Sequence, residues 1–417
     1  YCSADLPYIH PFPTRRSSDL FTLNFPSYYS IISYADDRAL REEMYQAYST
    51  RASEQGPNAG EFDNSEVMED ILALRHEVAQ LLGFKNYAER SLATKMAETP
   101  DQVLSFLHDL AKRSKPMAKQ ELAELTGFAR QEDDVADLSA WDVPYYGEKL
   151  RQHTYDISQE DLKPYFPETK VIPGMFAVVK RLYGISINEI EGVEKWHDDV
   201  HFYEIRDEKN EVRGQFYLDL YARDKKRGGA WMDDCIGRKR NIDGSLQIPV
   251  AYLTCNLTQP IGDDPALFTH DEVTTLFHEF GHGLHHMLTK VEHIGVSGIN
   301  GVAWDAVELP SQFMENWCWE REALDIIAAH YQTGEPIPDE LFNKMYAAKN
   351  FQAGMQMVRQ IEFSLFDFRM YHEYKPELKG TGSTQKILDE VRSEVAVISP
   401  PTYNRFQHGF SHIFAGG

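Results

Sequence analysis

Apolar residues recur at helical spacing along most of this chain and at strand spacing only in its middle. Val67, Ile71, Leu74, Val78 and Leu81 fall three and four residues apart, which brings them to one face of an α-helix. Asn64 or Ser65 stands at the N-cap position of that helix, and Gly83 offers its C-terminal stop. Thr99-Pro100-Asp101-Gln102 has capping-box spacing with proline at the first helical position, so a second helix opens there and runs through Leu104, Leu107 and Leu110. Further helices are predicted near 174–183, 338–371 and 384–395, and all these stripes are expected to pack into cores. In between, 201–206 alternates apolar and polar, 207–210 is turn-like, and 214–222 and 249–256 (PVAYLTCN) read as strands. Glycines mark loops at 227–229 and 242–244. No internal repeat or low-complexity tract interrupts the pattern. It predicts a helical region over 21–195, then a region over 196–417 that opens with a small sheet and becomes helical again.

Composition narrows this picture. A chain of 417 residues can hold two or more domains with large cores. Its hydrophobic and charged fractions, 42% and 26%, are those of an ordinary soluble protein. The net charge of −23 repels phosphate backbones, so no nucleic-acid partner is expected; solubility is the plainer use of that charge. Cys2, Cys235, Cys255 and Cys318 form no C-x-x-C pair, which excludes a thiolate zinc site and leaves free thiols of a reducing cytoplasm. No stretch approaches the roughly 20 apolar residues of a membrane span, so no membrane partner is expected. Residues 1–20 read unlike the rest of the chain: they lack a signal-peptide core, and His10–Leu20 resembles a translated sequencing adapter. They are taken as a non-native leader, outside the fold.

The chemistry is concentrated in 268–282. Thr269 and Glu272 have capping-box spacing, so a helix starts there. Its apolar positions Val273, Leu276, Phe277, Phe280, Leu284 and Leu288 cover most of its circumference, so it should be buried, and its polar residues need partners. His278 and His282 lie one turn apart on one face and can converge on a single ion, with Glu279 placed to reach a water on it. His282 and His286 have the same spacing, but Gly283 stands where the base would be; His285 and His286 are expected to be structural or substrate-facing. A catalytic zinc needs a third protein ligand. The extension to a glycine and third histidine fails, because His285 and Leu288 occupy those positions. A glutamate on a second helix remains. Glu308 fits, with Asp305 to cap that helix and Gly295, Gly298 and Gly301 to turn the chain back. Glu315 and Glu320 compete with it, Glu292 less well, and spacing alone does not choose.

HEFGHGLHHMLT (278–289) followed by AVELPSQFMENWCWE (306–320) resembles the thimet-oligopeptidase family of zinc metallopeptidases, its bacterial members most. REEMYQAYSTRASEQGPN (41–58), FYLDLYARDKKRGGAWMDD (216–234), PVAYLTCN (249–256) and RFQHGFSHIFAGG (405–417) carry the likeness over essentially all of 21–417. The resemblance implies His278, His282 and Glu308 as ligands of one zinc ion per chain, with Glu279 as general base. It implies that His412 helps hold the substrate and the tetrahedral intermediate. The fold it implies is mainly α with a small β-sheet: a zincin-like (gluzincin) catalytic region over 196–417 within a two-lobed helical channel. The implied activity is hydrolysis of short, unstructured cytoplasmic oligopeptides, including signal-peptide remnants, by a monomer. Gln312 is then expected to orient a ligand, and Cys255 and the edge of the 249–256 strand to line the cleft. Two departures bear on activity. The family continues past Gly417 into a tyrosine-rich helix that stabilises the oxyanion, and it has a further helical region before this one. An internal fragment is therefore expected. The alternatives are a non-catalytic zinc- or peptide-binding fragment and a helical scaffold whose histidines merely pack.

Overall fold

The computed structural model describes residues 21–262 and 264–415, so the leader and Cys2 lie outside the described residues. The chain is mainly helical with a small mixed sheet, and it forms two compact units. One comprises the residues up to Thr154 together with those from Asn350 onward; the other is Tyr155–Lys349. This differs from the division at 195/196 expected from the sequence. The segment 155–195 belongs with the sheet, Phe166, Val171 and Met175 sharing a core with Phe216 and Leu253, and the stretch 338–371 is two helices rather than one. Asp339–Ala347 ends in the second unit, Gln352 turns the chain at φ 53°, and Ala353–Glu373 returns to the first.

In the first unit, Ala353–Glu373 packs along the long helix Pro100–Asp133, with Met355 and Val358 against Ala118 and Leu125. The approach is close. A Cβ on Gly354 would lie 2.9 Å from the Ala118 amide nitrogen. Gln352 gives no side-chain cap, and Glu121 of the long helix substitutes: its carboxylate accepts the N–H groups of Gly354 at 3.1 Å and Met355 at 2.7 Å. The long helix opens as predicted, Thr99 Oγ1 accepting the Gln102 N–H at 3.2 Å, and it continues through Pro116. The helix Ser65–Leu81 also forms where predicted, and Gly83 follows it at φ 85°. Its packing face is not the predicted one. Met68 and Leu72 are buried against Ile361, Leu365 and Leu388, and Ala79 is buried as well, while Val67, Leu74, Val78 and Leu81 stay exposed. The helix is apolar on two sides, and the larger stripe faces outward.

In the second unit, the five-stranded sheet runs β1 (Ser186–Glu189), β2 (Val200–Arg206), β3 (Val212–Tyr221), β7 (Val250–Leu257) and β4 (Trp231–Ile236), in that spatial order. A two-residue ribbon, β5 (Lys239–Arg240) and β6 (Leu246–Gln247), stands apart. All pairings are antiparallel except β3 with β7. Strand β7 is hydrogen-bonded on both sides, so the expectation that 249–256 offers a free edge is corrected: β4 is the outer strand. The motif helix His270–Met287 lies across one face of the sheet, its Phe277, Phe280 and Leu284 sharing a core with Phe216, Leu253 and Cys255. Two glycines permit the contact. Cβ atoms on Gly214 and Gly283 would come within 2.6 Å of Met287 and 2.9 Å of Leu253.

Candidate metal centre

The motif helix is fixed at its start. Thr269 and Glu272 form the capping box reciprocally, at 3.1 and 2.8 Å. The second oxygen of Glu272 accepts the Thr258 N–H and hydroxyl, at 2.7 and 2.8 Å, and so ties the helix to the chain just beyond β7. From that start, His278 and His282 project one turn apart, with ring centroids 5.0 Å from each other.

A short helix, Leu309–Glu315, crosses them, with Glu308 as its N-cap residue. Asp305 does not cap it, but lies in the separate 3₁₀ turn Trp304–Ala306. The two helices touch at Gly281, where a Cβ would lie 2.5 Å from the Pro310 carbonyl oxygen and 2.6 Å from Ser311 Cα. Only glycine admits this approach, and it delivers the carboxylate. Nε2 of His278 and Nε2 of His282 each lie 3.1 Å from Glu308 Oε2. Ser311 Oγ donates to the same oxygen at 2.8 Å.

Three donor atoms from two stretches of chain thus face one another. A tetrahedral ion with bonds near 2.0–2.1 Å needs ligand atoms about 3.3 Å apart, close to what is found. The buried Nδ1 of His282 has no hydrogen-bond partner among the described residues. His278 Nδ1 is held at 2.7 Å by Glu315 Oε1, an outer carboxylate that fixes the ring so that Nε2 points at the centre. The side chain of His282 is 9% exposed and that of Glu308 52%, so the group is walled on one side and open on the other. The donor set and its openness fit a catalytic divalent cation.

The electrostatics agree. Hydrogen bonds from His278 and His282 hold the Glu308 carboxyl far below the usual range. Burial works against a charged His278, but its bonds to Glu308 and Glu315 outweigh this and lift it to about 9. Burial pushes Glu279 up to about 7, against the opposing pull of His278 and His282. The backbone of Met232, on the outer strand β4 that packs against the motif helix, also opposes this rise.

The competing residues have other positions. Glu292 pairs with Arg240 at 2.6 Å and with Arg238 at 3.3 Å, and Glu320 is an exposed helix-flanking residue. Glu315 meets His278 from the far side of the ring, an orienting role expected from the sequence for Gln312, which is exposed. His286 is wholly buried, with Nε2 3.1 Å from the Ile236 carbonyl and the Gly298 turn packed on its ring. His285 is half-buried, and burial depresses its pKa. Cys255 is buried beneath the motif helix, its thiol pushed far up by burial, and lines no surface. His412 belongs to the other unit, where it begins the short helix His412–Ala415, exposed, with its ring 5.1 Å from that of Phe410.

A second histidine–carboxylate grouping, Glu54, Asp63 and His408, lies in the first unit. There His408 Nε2 is 3.8 Å from each carboxylate but 3.0 Å from Ser65 Oγ. Ser65 donates to Asp63 at 2.7 Å, and Arg405 donates to Glu54 at 2.6 Å.

Comparison with known proteins places the chain in a family. The pattern of peptidase family M3 matches residues 31–417. Oligopeptidase A of Escherichia coli (strain K12) is 64% identical over 401 residues, covering 95% of this chain and 58% of the relative. Oligopeptidase A of Haemophilus influenzae is 60% identical over 400 residues, with the same two coverages. The dipeptidyl carboxypeptidase of Escherichia coli (strain K12) is 34% identical over 388 residues, covering 91% of this chain and 55% of the relative. The chain thus spans a little over half the length of the curated relatives it matches.

Proposed function

The chain belongs to peptidase family M3, and from that premise we propose that it carries the zinc centre of an enzyme hydrolysing peptide bonds in short, unstructured oligopeptides, signal-peptide remnants among them. One observation carries the reading: two imidazole nitrogens meet one carboxylate oxygen at 3.1 Å each, beside a buried glutamate. The names of the relatives, oligopeptidase A and dipeptidyl carboxypeptidase, support peptides as the substrate class.

His278, His282 and Glu308 would hold the ion, and Glu315 would keep His278 in orientation. A bound zinc supplies Lewis acidity and brings the pKa of a water toward 7. Glu279 is suited to take that water's proton. Its carboxyl, pushed up to about 7 by burial, can accept a proton and pass it on to the leaving amine near neutral pH. An extended peptide would lie along β4, the outer strand beside Glu279, using main-chain hydrogen bonds that ask nothing of its sequence. The setting proposed is the cytoplasm, with the enzyme a monomer; among the described residues no helix is long and apolar enough to cross a membrane.

The test is cleavage of a quenched fluorescent peptide, with and without a chelator, by the wild type and Glu279→Gln. Loss of cleavage on chelation and in the variant, with metal still bound by the variant, is expected. A variant that cleaves as the wild type does would remove Glu279 from the mechanism. A wild type that binds zinc and cleaves nothing would make the chain a non-catalytic zinc-binding fragment.

A further inference from the structure

Strand β4 presents a physical problem. It is an outer strand of six residues, paired on one side only with β7, yet it packs against the motif helix that carries Glu279. Outer strands are the least secured part of a sheet. The connection that delivers it, residues 222–230, includes Gly228, Gly229 at φ 92° and Lys225 at φ 64°, so its own backbone is not rigid by composition.

Two side chains of the inner strands hold this connection. Asn256 on β7 donates through Nδ2 to the carbonyls of Arg227 at 2.8 Å and Gly229 at 2.6 Å, two residues before β4 begins. Two carbonyls can be met only by the amide nitrogen, so the orientation of Asn256 is forced. Asp219 on β3, buried, gathers the other end. Its carboxylate accepts two N–H groups of Arg223 at 2.5 and 2.7 Å, the Lys226 ammonium at 2.8 Å and the Trp196 indole at 3.0 Å. Lys226, itself 5% exposed, also donates to the carbonyls of Asp219 and Tyr221, at 3.1 and 2.7 Å. Both cations belong to the 222–230 connection, and both are directed at Asp219.

We infer that Asn256 and Asp219 are positioning residues that clamp the 222–230 connection and so set where β4 stands beside Glu279, and with it the grip on an extended peptide. The catalytic consequence rests on the proposed function; the backbone consequence does not.

The experiment uses the zinc-loaded chain and the variants Asn256→Asp, Asn256→Ala and Asp219→Asn, with amide hydrogen exchange of 231–236, exchange of 200–206 as internal control, zinc content, and KM and kcat for a fluorescent peptide. Asn256→Asp is isosteric but turns two donors into acceptors facing two carbonyls, so it should perturb β4 more than Asn256→Ala does. We expect exchange of 231–236 to rise about ten-fold or more in Asn256→Asp, from the loss of two hydrogen bonds. The control segment and one zinc per chain should be unchanged, and KM should rise more than kcat falls. Wild-type exchange of 231–236 in Asn256→Asp and Asp219→Asn, or an equal rise at 200–206, overturns the clamp. If the wild type cleaves no peptide, the proposed function fails while the exchange still decides the clamp.

Discussion

Among the described residues there are two groupings of histidine with carboxylates, and they differ in what already satisfies them. At His278, His282 and Glu308, two imidazoles turn their Nε2 atoms to one carboxylate oxygen, and among the described residues no lysine or arginine pairs with that carboxylate. At Glu54, Asp63 and His408, there is one imidazole, its nitrogen engaged by Ser65, while Arg405 neutralises Glu54. Burial works against the charge on Glu54, but the Arg405 bond holds its carboxyl below the usual range. In the proposed reading the first group takes its positive charge from a bound cation; the second already has one in the guanidinium. Proximity of ligand-type residues is therefore a weak criterion. What sets the proposed metal centre apart is convergence of three ligand-type atoms, with no lysine or arginine beside them, on a side left open to solvent.

The largest effect expected is from Glu308→Ala, which should abolish stoichiometric zinc, whereas Glu54→Ala should leave zinc content unchanged. Metal analysis after dialysis checks both, and equal losses would erase the distinction. Next is Gly281→Ala. Its methyl would have to push the Leu309–Glu315 helix away, so Glu308 should retreat from the histidines. A stability loss of about 1–3 kcal/mol is expected from overpacking, together with weaker zinc binding. Competition titration against a chelator and urea unfolding measure the two, and wild-type values in both would show that the helices can part without cost. Glu315→Gln is a smaller change. It keeps a hydrogen-bond acceptor for His278 but removes the charge, and should weaken zinc binding by about 10- to 100-fold. An unchanged affinity would make Glu315 a bystander.

These effects also show what the sequence could and could not reveal. The pair His278/His282 and the cap at Thr269 were legible because helical spacing is local. Glu308 was one of several candidates on spacing, since its approach depends on Gly281 meeting Pro310, a contact between separate stretches. Glu315 was visible as a carboxylate near the site, but nothing local says which ring nitrogen it meets. The inner position of β7 follows from parallel pairing with β3, which has no local signal, so a free edge was assigned to the wrong strand. On Ser65–Leu81 the pattern was misleading, because both sides are apolar and the larger stripe is the exposed one. The boundary after Lys349 lies near Gln352, at positive φ inside what read as one helix, while the boundary after Thr154 reflects the packing of 157–185 on the sheet.

The smallest effect sharpens the comparison from the side of the second grouping. Burial depresses the pKa of His408, with Glu54 and Asp63 pulling the other way without prevailing. A histidine held neutral in the fold takes up its proton more readily when unfolded, so the unfolded chain binds more protons below about pH 6.5. The stability it contributes is therefore fully present above that pH and is lost as pH falls toward the folded value. One proton limits the slope to about 1.4 kcal/mol per pH unit. Other groups titrate in the same range, so the measurement is a difference: urea midpoints of the wild type and His408→Gln near pH 7.5 and near pH 5.5. The wild type should lose more stability than the variant on acidification. A larger loss in the variant would mean that His408 is charged in the fold and paired with Glu54 and Asp63, and the second grouping would then be an ion cluster rather than a neutral hydrogen-bonded one.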